Sequence, residues 1–151
     1  KGVDGEQAVE AGRRVTASGM KLSMMIILGL AGAEGSERHA LATARAINII
    51  KPTHLSALCL MLYRGSELLD QYEAGKFNPL SPAGLMRELK LIIENIDLPA
   101  DRHCLFRSNH VSNYVQLAAT LPHDKQRLLR DIDYSIAQLS KLKSWDVYNY
   151  N

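Results

Sequence analysis

Leu22 to Pro52, LSMMIILGLAGAEGSERHALATARAINIIKP, is the stretch whose reading decides the fold. Leu22 to Leu28 is a nearly unbroken apolar run, the pattern of a parallel strand with helices over both faces of its sheet. The run stops at Gly29-Leu30-Ala31-Gly32, where glycines permit positive φ or the close approach of a ligand to the backbone, and Ser36 stands where a helix N-cap would. Ala40, Leu41, Ala44 and Ile47 then recur at helical spacing, and Pro52 stops the helix before a second apolar run, Leu55 to Tyr63. Strand, glycine turn, helix and strand make a βαβ unit. Parallel α/β folds bind ligands beyond the carboxyl ends of their strands, which places a site at Gly29 to Gly35.

Working outward from this unit, Glu6 to Ser18 reads as a helix with Ala8, Val9, Gly12 and Val15 toward the core and Gly19 at its end. After the second strand, Arg64-Gly65-Ser66 turns into a short helix capped by Ser66 and closed by Gly75. Ser81-Pro82 opens a further helix in which Leu85, Leu89, Ile92 and Ile96 keep to one face. Asp97 to Asp101 is a turn, and Cys104-Leu105-Phe106 is a short strand or extended piece before the polar run Arg107-Ser108-Asn109-His110. From Pro122 the helical pattern returns with Leu128, Leu129, Ile132, Ile136 and Leu139, and it fades near Trp145 into a tail ending Tyr148-Asn149-Tyr150-Asn151.

The bulk properties narrow the classes of function. With 151 residues, 46% hydrophobic and 23% charged, the chain suits one globular domain. A net charge of +2 with scattered lysines and arginines gives no electrostatic footprint for nucleic acid. No apolar segment approaches the roughly 20 residues of a membrane span, and no signal peptide opens the chain, so a cytoplasmic location without membrane contact is expected. Cys59 and Cys104 are far apart, form no CxxC or CxxxCxxC, and are expected as reduced thiols with no metal site. The chain starts Lys-Gly, without Met, and enters at once a helix that needs a sheet to pack on, which points to a fragment.

Three segments, taken in order, resemble the second half of the core of a radical S-adenosylmethionine enzyme, of the group of iron-sulfur oxidoreductases. Met25-Ile26-Ile27-Leu28-Gly29-Leu30-Ala31-Gly32 is similar to that family's fifth strand and its Gly-Leu-Pro-Gly-like turn, with Ala31 in place of the proline. Leu62-Tyr63-Arg64-Gly65-Ser66-Glu67-Leu68-Leu69, continuing to Gly75-Lys76-Phe77, is similar to the next strand end and its helix. Phe106-Arg107-Ser108-Asn109-His110-Val111-Ser112-Asn113-Tyr114, with Leu121-Pro122-His123-Asp124-Lys125 after it, resembles the group's C-terminal extension.

The resemblance implies an α/β fold in which residues 1–80 are the C-terminal part of a (β/α) barrel with parallel strands. Residues 81–151 would then be a mainly helical extension. It also implies S-adenosylmethionine and a 4Fe-4S cluster as cofactors of the intact parent, where reductive cleavage gives a 5′-deoxyadenosyl radical. The family's CxxxCxxC loop, which ligates that cluster, and its Gly-Gly-Glu segment are absent from this chain. Alone it is therefore expected to be inactive, its partners being a small-molecule substrate and the missing N-terminal half of the barrel.

By the same resemblance Ile27, Gly29, Gly32, Leu60, Met61 and Leu62 would lie beside the cofactor's adenosine part. Without it, the glycines serve equally a tight strand-to-helix turn, and the apolar residues serve the core. Arg107, Ser108, Asn109 and His110 concentrate donors and acceptors suited to an anionic or polar substrate, or they form a polar loop satisfying its own backbone. No catalytic residue is assigned. His54, at the start of a strand, and Cys59, within one, read as structural, and Cys104 is a lone thiol without a base partner. The alternatives are a fragment of another (β/α) barrel enzyme, of aldolase or phosphate-binding type, or a non-catalytic α/β interaction module.

Overall fold

The two apolar runs that bracket Pro52 become neighbouring strands. The computed structural model describes residues 2–141. In chain order they form α1 (Gly5–Ala17), β1 (Ser23–Leu28), α2 (Gly32–Ile50), β2 (His54–Cys59), α3 (Glu67–Glu73), α4 (Pro82–Asn95), β3 (Cys104–Arg107), β4 (Ala118–Leu121) and α5 (Lys125–Leu139). The strands make one open sheet in the order β1-β2-β3-β4. β1 and β2 are parallel from Ser23 opposite His54 to Leu28 opposite Cys59, as a connection through one helix requires. β3 joins β2 in parallel, and β4 returns antiparallel to β3. Beyond residue 80 the chain supplies α4, α5 and two of the four strands, β3 falling on the expected Cys104-Leu105-Phe106. The expected tail from Trp145 to Asn151 lies outside the described residues.

The apolar run of β1 was expected to lie between two helical layers, and the structure departs from that. Ile26 and Leu28 are buried, whereas Met25 and Ile27 are 71% and 42% exposed. The same alternation continues across the sheet. Leu55, Ala57, Cys59, Cys104, Phe106, Ala119 and Leu121 are buried on one face, while Ser56, Leu58, Leu105 and Thr120 are half-buried and Arg107 is exposed on the other. α4 packs against both α2 and α5, with α4 also on β1 and α5 on β4, so the three form a single layer over the buried face. Period-two burial of this kind marks a sheet with one covered side. A run in which both faces happen to be apolar conceals it.

Four smaller expectations also change. α1 has no buried residue: Ala8 is exposed, while Val9, Gly12 and Val15 are half-buried. α1 leans on α2 through Thr16, whose hydroxyl donates to the Ile50 carbonyl at 2.7 Å, and through Gly12, where an added Cβ would meet the Ile50 side chain at 2.9 Å. Leu41 is 38% exposed, off the buried stripe of Ala40, Ala44 and Ile47. β2 stops at Cys59; the next residue, Leu60, adds one more bond to β1 from its N–H to the Leu28 carbonyl at 2.9 Å. Ser36 is not an N-cap, since α2 begins at Gly32 with Ala31 at the cap. By contrast Ser66 and Ser81 do cap α3 and α4, accepting from the Leu69 and Gly84 amides. Among the described residues no helix is long and apolar enough to cross a membrane.

Gly29 and Gly75 both adopt positive φ, at 82° and 67°, but only Gly29 is also enclosed: a Cβ there would sit 2.7 Å from Leu85 Cδ2, whereas none meets an atom within 4 Å at Gly75. Gly75→Ala should therefore lose about 1 kcal/mol, the strain of a left-handed alanine. Gly29→Ala should lose about 2 to 3 kcal/mol, since a core leucine must also move. Urea denaturation of both variants checks the ordering.

Candidate functional site

A glycine turn and a polar loop lie at the carboxyl ends of the parallel strands, and each is tied down by side chains. The glycine turn between β1 and α2 is held from below by Glu88. α4 presents Leu85, Leu89 and Ile92 to the core, and Glu88 falls on that same stripe, leaving it 2% exposed. A carboxylate buried in this way needs partners. It accepts the Gly29 N–H at 2.8 Å, the Ser36 hydroxyl at 2.5 Å and a contact from His39 Nδ1 at 3.1 Å. Burial pushes the Glu88 pKa up, yet the hydrogen bonds from His39, Ser36 and Gly29 outweigh it, and the group ends below its ordinary value.

From the other side, Ala33 N–H donates to the Asn78 carbonyl at 2.8 Å, and a Cβ on Gly32 would meet that oxygen at 3.0 Å. Gly32 N–H itself closes back on the Gly29 carbonyl at 3.1 Å. The amides of Gly29, Gly32 and Ala33 are therefore spent within the protein, and the turn offers its surroundings the 48% exposed Leu30 side chain.

The polar loop is held by the unfinished ladder of β2. β3 pairs with β2 only as far as Ser56, opposite Arg107, so the next backbone groups of β2 need other partners. Asn113 Nδ2 donates to the Ala57 carbonyl at 2.9 Å, and the Cys59 N–H donates to Ser112 Oγ at 3.1 Å. Ser112, 3% exposed, also fixes His110: its N–H donates to His110 Nδ1 at 3.1 Å, and its Oγ lies 2.8 Å from the same nitrogen. Asn113 Oδ1 is buried with no hydrogen-bond partner among the described residues.

The open face thereby gathers Arg107, Asn109 and His110 around a cavity of about 270 Å³ floored by Met25, Ser56, Ala57 and Leu58. Ser108, their neighbour in sequence, is not among them. It is 1% exposed and locks the β3–β4 connection, its hydroxyl donating to the Val115 carbonyl at 2.9 Å and accepting the Leu117 N–H at 3.1 Å.

A larger groove, about 1030 Å³, runs along the edge of β1 between α1 and α2, and Met25 borders both spaces. Ile27, Leu30 and His39 line it. Of the remaining residues expected near a cofactor, Leu60 and Met61 are half-buried beside this end of β1, and Leu62 is 4% exposed. His54 is exposed at the opposite end of β2, with Nδ1 3.1 Å from Thr53 Oγ1.

Burial under the helices pushes the Cys59 and Cys104 thiols up to about 11, the Glu88 charge adding to the rise at Cys59, so neither is a thiolate at neutral pH. No grouping of His, Cys, Asp and Glu able to hold a metal ion occurs among the described residues. Compared with models of known protein families and with curated proteins, the chain matches none.

The sequence pattern had not singled out Glu88, His39 or Ser112. For Glu88 a signal exists: Leu85, Glu88, Leu89 and Ile92 stand at i, i+3, i+4 and i+7, so an acidic residue occupies an apolar position. Replacing Glu88 with Ala should cost about 3 kcal/mol or more, because the Gly29 amide and Ser36 hydroxyl are then buried unpaired. Since its folded pKa is lowered, the carboxylate contributes stability that is present above the ordinary value of 4.5 and is lost as pH falls through the lower folded value. Denaturation curves should accordingly show the gap between wild type and Glu88→Gln narrowing as pH drops below about 4.5. A gap independent of pH would mean that Glu88 is not ionised in the folded protein.

Proposed function

We propose that this chain forms the C-terminal part of the (β/α) barrel of a radical S-adenosylmethionine enzyme, with its open sheet face as the inner wall. Its role there is to position S-adenosylmethionine and a small substrate at the carboxyl ends of the strands. The observation that carries this reading is the one-sided sheet: helices cover one face, while the other bears exposed Met25 and Ile27 and the donors of Arg107 and His110. Barrel strands have this division, with helices outside and ligand-bearing loops at the carboxyl ends. The edge of β1, which pairs with no strand on its outer side among the described residues, is where the remaining strands of such a barrel would join.

For S-adenosylmethionine the residues fit: Ile27, Leu30, Leu60 and Met61 offer an apolar wall beside the turn, and Gly29 and Gly32 keep the turn low. When bound, that cofactor supplies the radical chemistry. The residues here hold and orient its adenosine part and exclude water from it. The 4Fe-4S cluster does not fit this chain, because both thiols are buried beneath helices and protonated. A phosphate-binding barrel is the second reading, favoured by the cationic Arg107 on the same face.

Two measurements test the proposal. Titration with S-adenosylmethionine should shift the methyl NMR signals of Ile27, Leu30 and Met61, and Ile27→Asp should abolish the shifts. Saturable shifts from inorganic phosphate with none from S-adenosylmethionine would favour the second reading. Anaerobic reconstitution with iron, sulfide and reductant should yield no cluster absorption and no 5′-deoxyadenosine, and a stoichiometric cluster on this chain would contradict the assignment of its half of the enzyme.

A further inference from the structure

We propose that the cavity at the carboxyl ends of β2 and β3 is a carboxylate site. It takes a small organic acid whose carboxylate lies across Arg107 Nε and Nη2 and whose carbon body rests on Met25 and Leu58. The inference rests on the open face being the ligand face, and it is independent of which cofactor binds there.

Arg107 is pre-oriented. Its Nη1 donates to the Phe106 carbonyl at 2.7 Å and points to the Ala119 carbonyl at 3.4 Å, which fixes the guanidinium plane. Nε and Nη2 have no protein partner among the described residues. Those two N–H groups form the side edge of the guanidinium, whose parallel donors match the two oxygens of one carboxylate.

His110 adds a donor of known identity. A backbone N–H can only donate, so the bond from Ser112 N–H makes His110 Nδ1 an acceptor. Ser112 Oγ receives the Cys59 N–H, which leaves its own proton to point at the same Nδ1. The ring proton therefore sits on Nε2, which has no partner among the described residues. The Ser56 hydroxyl and the Asn109 amide add further donors, and no Asp or Glu among the described residues lines the space. A lining of donors without a carboxylate selects an anion.

Size and floor narrow the class. About 270 Å³ suits a small molecule, and the thioether of Met25 with the side chain of Leu58 provides an apolar floor for a short carbon chain. An arginine fork also fits phosphate, but phosphate sites commonly add successive backbone N–H groups at glycine turns and helix N-termini. In this chain the turn that would serve, at Gly29, Gly32 and Ala33, has its amides occupied by Glu88, the Gly29 carbonyl and Asn78.

The test is an NMR titration of the full chain with 2-methylpropanoate, with 2-methylpropanamide and inorganic phosphate as separate arms. The acid should bind saturably and shift the Arg107 Nε–H and His110 ring signals. The amide and phosphate should each bind at least about tenfold more weakly, as should the acid to Arg107→Gln. His110→Asn, whose amide oxygen can take over the Ser112 N–H while Nε2 is lost, should weaken the acid about threefold or more, which keeps the test decisive should Arg107→Gln fold poorly. Equal binding of the amide, tighter binding of phosphate, no saturation by the acid, or unchanged affinity in both variants would each overturn the proposal. Failure here leaves the methyl signals of Ile27 and Met61 to report S-adenosylmethionine separately, so the two readings stand or fall apart.

Discussion

A single buried carboxylate holds the end of the sheet where the site lies. Glu88 comes from α4, its hydroxyl and imidazole partners come from α2, and its amide partner is Gly29 at the end of β1. Burying an ionised carboxylate costs several kcal/mol before its partners are counted, so a sequence that keeps one gains definition of geometry more than stability. Here the definition concerns the turn. With its amide bonded from below and Asn78 bonded from above, the segment between β1 and α2 has little freedom to rise into the ligand face. The same contacts tie the crossover helix α4 to α2, whose packing covers the sheet.

The second constraint is the shortness of β3. It stays beside β2 for three residues and then departs, leaving β2 with backbone groups that must still be paired. Ser112 and Asn113 supply side chains for two of them. This substitution of side chains for a strand fixes the path of the loop, and the loop in turn fixes His110 through Ser112 and sets Asn109 over Ser56 and Leu58. The polar cluster is thus a product of ladder completion, and its donors face the uncovered side because the covered side is already filled by Phe106, Leu121 and the helices.

Local pattern carried much of this. Two apolar runs joined by one amphipathic helix read directly as parallel neighbours, and Ser66 and Ser81 announced their helices through cap chemistry that depends only on adjacent residues. The apolar faces of α4 and α5 were likewise legible, with Leu85, Leu89, Ile92, Leu128 and Ile132 all in the core. Where the reading failed, the missing information was long-range. Met25 and Ile27 look like core residues because hydrophobicity does not say which face of a sheet is covered. Ser36 has the chemistry of a cap, yet its partner is 52 positions away in sequence. Ser108 resembles its polar neighbours, but strand alternation turns it inward while Arg107 and Asn109 face out. Proximity of Arg107, Asn109 and His110 was legible as a run, whereas their assembly with Met25 and Ser56 required the parallel register of β3 on β2.

Beyond the Leu60–Leu28 bond, side chains rather than a continuing ladder hold the backbone at the carboxyl ends of β1 and β2. Native-state hydrogen exchange measures this directly at the amides of Gly29 and Cys59, which are bonded to Glu88 and Ser112. Both should exchange as slowly as strand-interior amides such as those of Ile26 and Ala57, and Ser112→Ala should speed Cys59 alone. Exchange of Gly29 and Cys59 at the rate of exposed loop amides would contradict this.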